Sequence, residues 1–142
     1  GSLILAEEAY SLFLTVSPKF HCVCDSHLQA LTASLLTKRD VVLFFSYSGA
    51  TKELMDISQI VAERGTKLIL VSRFPKSPGA EFASVVLKCG SNESPLRSGS
   101  VAARMAQLYI IDMLYNQMVR MDQKKFVKNR EMTAGALTNK LL

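Results

Sequence analysis

Val41 to Phe45 is a run of five consecutive apolar residues; a hydroxyl-rich turn follows at once, then helical periodicity from about Thr51 to Glu63 and a second apolar run from Lys67 to Ser72. An unbroken apolar run of that length is a strand covered on both faces. Two such strands joined by a helix make a parallel βαβ unit, because parallel strands need a crossover. The helix stops at Arg64-Gly65, a cation followed by a glycine that can take the left-handed conformation. This unit predicts an α/β domain with helices on both faces of a parallel sheet.

The rest of the chain fits the same alternation. Leu3, Ile4, Ala6, Ala9, Tyr10, Phe13 and Val16 recur at helical spacing, and Pro18 ends that helix. Phe20 to Cys24 reads as a short strand, and Asp25 or Ser26 caps a helix running through Leu36. Beyond Pro75 and Pro78 come a helical turn near Ala80 to Ala83, a strand from Ser84 to Leu87 and a polar stretch from Gly90 to Ser94. A long helix over about 96–121 carries Val101, Met105, Leu108, Tyr109, Ile110, Ile111, Met113 and Leu114, more apolar surface than one stripe against a sheet needs. Either a subunit contact or deep burial accounts for the excess. A last helix spans about 123–142, weakened at Gly135.

The expected fold is therefore a three-layer αβα sandwich with a flavodoxin-like parallel sheet, one domain over residues 1–142. Such a sheet opens with a strand, whereas Gly1 and Ser2 already stand where the turn after it belongs; leaving that strand out would bare two backbone ladders. We expect the natural chain to continue upstream, with Gly1 and Ser2 either native turn residues or a cloning remnant.

Charge narrows the partners. The net charge is +5, but six cations against two anions over residues 120–142 account for +4, so the excess sits on the last helix. That stretch is a solvated helix face or a phosphate-binding strip. No apolar run approaches the roughly 18 residues of a membrane span. Three cysteines make no disulfide framework, which points to a reducing, cytoplasmic setting; Cys22, Cys24 and Cys89 read as small core residues in or beside strands. No cluster of carboxylates and imidazoles has metal-ligand spacing, and no metal or cofactor is expected.

Chemistry concentrates in Ser46-Tyr47-Ser48-Gly49-Ala50-Thr51-Lys52-Glu53. Ligands of open α/β sheets bind at the carboxyl ends of the strands, and this turn follows the first buried strand. Hydroxyl donors, a glycine permitting close backbone approach and free amides at a helix start together form a cradle for a phosphate dianion. The spacing is too short for a Walker loop. The plainer alternative is that Ser48 and Thr51 only cap the helix and Gly49 only permits the turn.

These eight residues resemble the S-x-S-G-x-T-x-E phosphosugar loop of the sugar isomerase (SIS) domain, over roughly residues 1–120. The resemblance implies that Ser46, Ser48 and Thr51 hold the phosphate of a sugar phosphate, assisted by backbone amides near Tyr47 and Gly49. Catalytic members often carry Gln or Glu where this chain has Tyr47. Glu93-Ser94-Pro95-Leu96-Arg97-Ser98, then Arg104-Met105-Ala106-Gln107-Leu108 and Ile111-Asp112-Met113-Leu114-Tyr115, are similar to SIS domains of RpiR-type bacterial transcriptional regulators. That similarity implies a non-catalytic effector domain that senses a phosphosugar, self-associates through the long helix as a dimer or tetramer, and reaches DNA only through an upstream helix-turn-helix domain. Glu93 would accept bonds from sugar hydroxyls and Arg97 would meet either Glu93 or the phosphate. The alternative is an aldose-ketose phosphosugar isomerase or a related lyase, with Glu93 as catalytic base and His27 as its helper.

Overall fold

A computed structural model describes residues 2–90, 100–138 and 140. The order is α1 (Ser2–Leu14), α2 (Ser26–Leu35), β1 (Val41–Phe45), α3 (Lys52–Glu63), β2 (Lys67–Ser72), a 3-10 turn (Pro78–Phe82), β3 (Val85–Lys88), α4 (Val101–Met121) and α5 (Gln123–Thr138). The three strands form a parallel sheet in the order β1-β2-β3, with Val41 opposite Lys67, Phe45 opposite Val71, and Ile69 opposite Val85.

Strand alternation sends successive side chains to opposite faces, and two cores result. One holds Leu5, Ala9 and Phe13 of α1, Phe45, Val71, and Ile111 and Tyr115 of α4. The other holds Ala33 of α2, Ile57 and Val61 of α3, and Leu68, with Val42 and Phe44 packed against it. Leu68, Leu70 and Val71 are wholly buried, each such side chain contributing about 1.5–3 kcal/mol. The mixed α/β class, the parallel sheet and helices on both of its faces are as expected.

α3 ends as its sequence implies: Gly65 has φ 67°, its N–H donates to Ala62 O at 2.9 Å, and Thr66 N–H donates to Val61 O at 3.1 Å, the paired bonds of a glycine-closed helix end.

Several expectations need correction. Phe20 to Cys24 is not a strand: no strand among the described residues pairs with it, and apolar content without a neighbouring ladder does not make one. Cys22 and Cys24 are consequently not core residues, Cys24 being exposed and Cys22 half-buried, while Cys89 is buried. β3 and the 3-10 turn start one residue later and two residues earlier than expected. α4 starts at Val101, capped by Ser100 Oγ accepting from Ala103 N–H at 3.1 Å. Residues 96–99, assigned to that helix, lie outside the described residues, as does Asn139 near the end of α5. Gly135 stays within α5.

α4 buries Ala103, Gln107, Ile111 and Tyr115, one every fourth residue. Met105, Tyr109 and Met113 on its other side are exposed at 64, 65 and 54%, so the apolar excess lies at the surface. α5 buries no residue. Asn129 Nδ2 donates to Val16 O at 2.6 Å and Thr133 Oγ1 donates to Thr15 O at 2.9 Å, tying it to the chain just beyond α1.

Candidate functional site

The turn from Ser46 to Thr51 leaves the carboxyl end of β1 and enters α3. The next strand and the loop after it fasten the turn. Ser46 N–H donates to Val71 O at 3.1 Å, Arg73 N–H donates to Tyr47 O at 3.1 Å, and Gly79 N–H donates to Gly49 O at 2.9 Å. Ser72 Oγ adds a bond to Tyr47 O at 3.2 Å while accepting from Phe74 N–H at 3.2 Å.

Gly49 is required by shape as well as by backbone. Its φ is 65°, and a Cβ there would overlap the Ser77 side chain and lie 3.0 Å from Ser72 Oγ. The chain bends tightly here and then presents the start of α3.

The hydroxyls of the turn divide into two kinds. Ser46 is only 3% exposed, whereas Ser48 and Thr51 are open to solvent. Ser48 Oγ accepts from Ala50 N–H at 3.3 Å and Thr51 Oγ1 accepts from Leu54 N–H at 3.4 Å. The capping role is thus real, but these bonds are longer than the usual 2.9–3.0 Å. Each hydroxyl accepts one bond and keeps its own proton to donate. Among the described residues the N–H groups of Lys52 and Glu53 have no acceptor, as the first turn of a helix dictates. Two O–H donors and two N–H donors therefore gather at the positive end of the α3 dipole, an arrangement suited to a multiply charged oxyanion.

Tyr47 is half-buried and lies beside Gly90, where an added Cβ would come within 3.2 Å of Tyr47 Oη. Glu93 and Arg97 lie outside the described residues. His21 and His27 are both exposed. A cleft of about 260 Å³ lined by Pro75, Lys76, Ser77, Ala80 and Glu81 borders the turn through Ser77. No group of three or more His, Cys, Asp or Glu among the described residues is placed to hold a metal ion. No helix among them is long and apolar enough to cross a membrane.

Sequence reasoning missed Ser72 and Ser77. Both are buried, and Ser77 Oγ has no hydrogen-bond partner among the described residues. Strand register held the signal for Ser72, since it follows Val71, the residue opposite Phe45, and so must flank the turn.

Residues 1–117 match the family model described as the SIS domain. The chain belongs to the SIS domain family. An uncharacterised HTH-type transcriptional regulator of Caldanaerobacter subterraneus subsp. tengcongensis is 33% identical over 138 residues, 97% of this SIS chain and 49% of the relative. The uncharacterised HTH-type regulator YbbH of Bacillus subtilis is 32% identical over 116 residues, 81% of this chain and 41% of the relative. The chain thus spans about half the length of the curated relatives it matches. Among solved structures, the Vibrio vulnificus NanR protein complexed with ManNAc-6P superposes with a TM-score of 0.92 at 22% identity, covering 99% of this chain and 54% of that one. At that identity the likeness establishes the SIS fold.

Proposed function

We propose that this SIS domain is the phosphosugar-sensing half of a helix-turn-helix transcriptional regulator and that it binds its effector without turning it over. The observation that carries the reading is the Ser46–Thr51 turn, where two loosely engaged, exposed hydroxyls stand with two amides at the start of α3 that have no acceptor among the described residues. Relatives named as HTH-type regulators and a fold neighbour bound to ManNAc-6P support it. In this reading Ser48, Thr51 and the amides of the turn hold the phosphate, and Gly49 shapes the approach. Buried Ser46 braces the turn from beneath, and Tyr47 stands beside the sugar. Glu93 and Arg97 contact sugar hydroxyls or phosphate.

Residues 1–142 act as one domain, in the cytoplasm. The exposed Met105, Tyr109 and Met113 face of α4 pairs copies as a dimer or tetramer, since apolar patches of this kind mark association surfaces. An upstream helix-turn-helix contacts DNA.

Thermal melting with a panel of hexose, pentose and amino-sugar phosphates, ManNAc-6P included, tests the assignment. A cognate ligand at 100 times its Kd adds about 2.7 kcal/mol. Protection without turnover, lost in Ser48→Ala and Thr51→Ala, is the expected result. Turnover that disappears in Glu93→Gln would replace the sensor by an isomerase.

A further inference from the structure

Cys22 and Cys24 lie in the segment between α1 and α2. Their Sγ atoms are 3.8 Å apart, and Cys24 Sγ is 3.9 Å from Glu7 Oε1. Cys24 is exposed, Cys22 half-buried, and the third thiol, Cys89, is enclosed in the α1–α4 core.

Three features make the pair more than two neighbouring thiols. Both side chains already point the same way, as the sulfur separation requires. Residues two apart in a chain are at most about 7 Å apart at Cα, and disulfides bridge roughly 4.4–6.8 Å, so little or no backbone contraction is needed. The carbonyl between the cysteines, Val23 O, is held by a side chain, Gln29 Nε2, at 2.8 Å.

We propose that Cys22 and Cys24 are a redox-modification site, a dithiol that a low-molecular-weight disulfide such as oxidised glutathione converts to an intrachain Cys22–Cys24 bond. The exposed Cys24 thiolate attacks one sulfur of the oxidant, forming a mixed disulfide and releasing one glutathione thiolate. The Cys22 thiolate then attacks Cys24 Sγ, forming the intrachain bond and expelling the second. The two protein thiols lose two protons and two electrons, and oxidised glutathione is reduced to two thiols. Cys24 is the exposed thiol of the two, which puts it first in this order; burial, then the hydrogen bond and charge of Cys24, then the charge of Glu7, push the Cys22 thiol up to about 11.

The test treats the folded, reduced chain with oxidised glutathione and follows thiol count and intact mass. Expected are a fall from three free thiols to one, a mass lower by two hydrogens, a single-chain band on a denaturing, non-reducing gel, and a peptide map joining Cys22 to Cys24; reduced dithiothreitol restores all three thiols. Cys22→Ser should stop at a stable glutathione adduct on Cys24, and Cys24→Ser should react far more slowly than wild type. An unchanged thiol count, a lasting glutathione adduct on the wild-type chain, or a disulfide between two chains would overturn the proposal.

Discussion

α2 and α3 share one core on the same face of the sheet, yet their first turns are finished differently. At α2 the cap is Asp25, whose carboxylate accepts from Leu28 N–H at 2.9 Å. At α3 the cap is the neutral Thr51, at 3.4 Å, preceded by a glycine at positive φ. A carboxylate cap already satisfies a helix N-terminus in both hydrogen bonding and charge. A hydroxyl at 3.4 Å is a longer and neutral cap, and α3 carries its carboxylate one step further in, at Glu53 of the first turn, where α2 has none. The comparison teaches that α2 is closed by a charged cap of its own, whereas the proposed phosphate site relies on the looser, neutral cap of α3.

The comparison breaks most severely at Gly49. Gly49→Ala forces an alanine into a left-handed conformation, at about 1–2 kcal/mol, and drives its Cβ into Ser77, with overpacking adding about 1–3 kcal/mol. Denaturant melts should show that loss in the unliganded protein together with complete loss of phosphosugar protection. Thr51→Asp sharpens the contrast by giving α3 the cap that α2 has. Unliganded stability should hold or rise by a few tenths of a kcal/mol, while calorimetry should show sugar-phosphate affinity down more than tenfold, because a fixed carboxylate stands where the phosphate would. Asp25→Ala is the mirror experiment: about 1 kcal/mol of stability is lost in melting, and sugar-phosphate affinity is unchanged.

The smallest effect lies just before β1. The Thr37 hydroxyl, then the Thr37 N–H, hold the Asp40 carboxyl below its ordinary value of 3.8. A lowered folded-state pKa contributes stability above that ordinary value and loses it as the pH falls through the folded one. Acid melts of Asp40→Asn should therefore lack a shallow decline that wild type shows below about pH 4, and the two proteins should share the same sugar-phosphate affinity at neutral pH.

How much of this was legible in the residues follows from range. Val41–Phe45, Lys67–Ser72 and the helix between them were readable because apolar runs and a glycine stop act locally. The shape of the turn was readable because a glycine among hydroxyl-bearing residues at a strand's carboxyl end marks a tight bend and a helix cap, and both are present at Gly49 and Thr51. Phe20–Cys24 was misread because pairing is a property of two segments, and its own apolar content says nothing about a neighbour. Hydrogen exchange should show that difference, with the amides of Leu68 to Val71 in central β2 protected and those of Phe20 to Cys24 exchanging rapidly. Ser77 was invisible because its place over Gly49 depends on how the loop after β2 folds back.

Amide-resolved NMR titration with the sugar phosphate that protects best tests the central claim most directly. Saturable shifts confined to Ser46–Glu53 and the loop after Ser72, with α2 and the lysines of α5 unmoved, are the predicted outcome. Shifts centred on Lys124, Lys125 and Lys128, or a turn that does not respond while the ligand still binds, would contradict it.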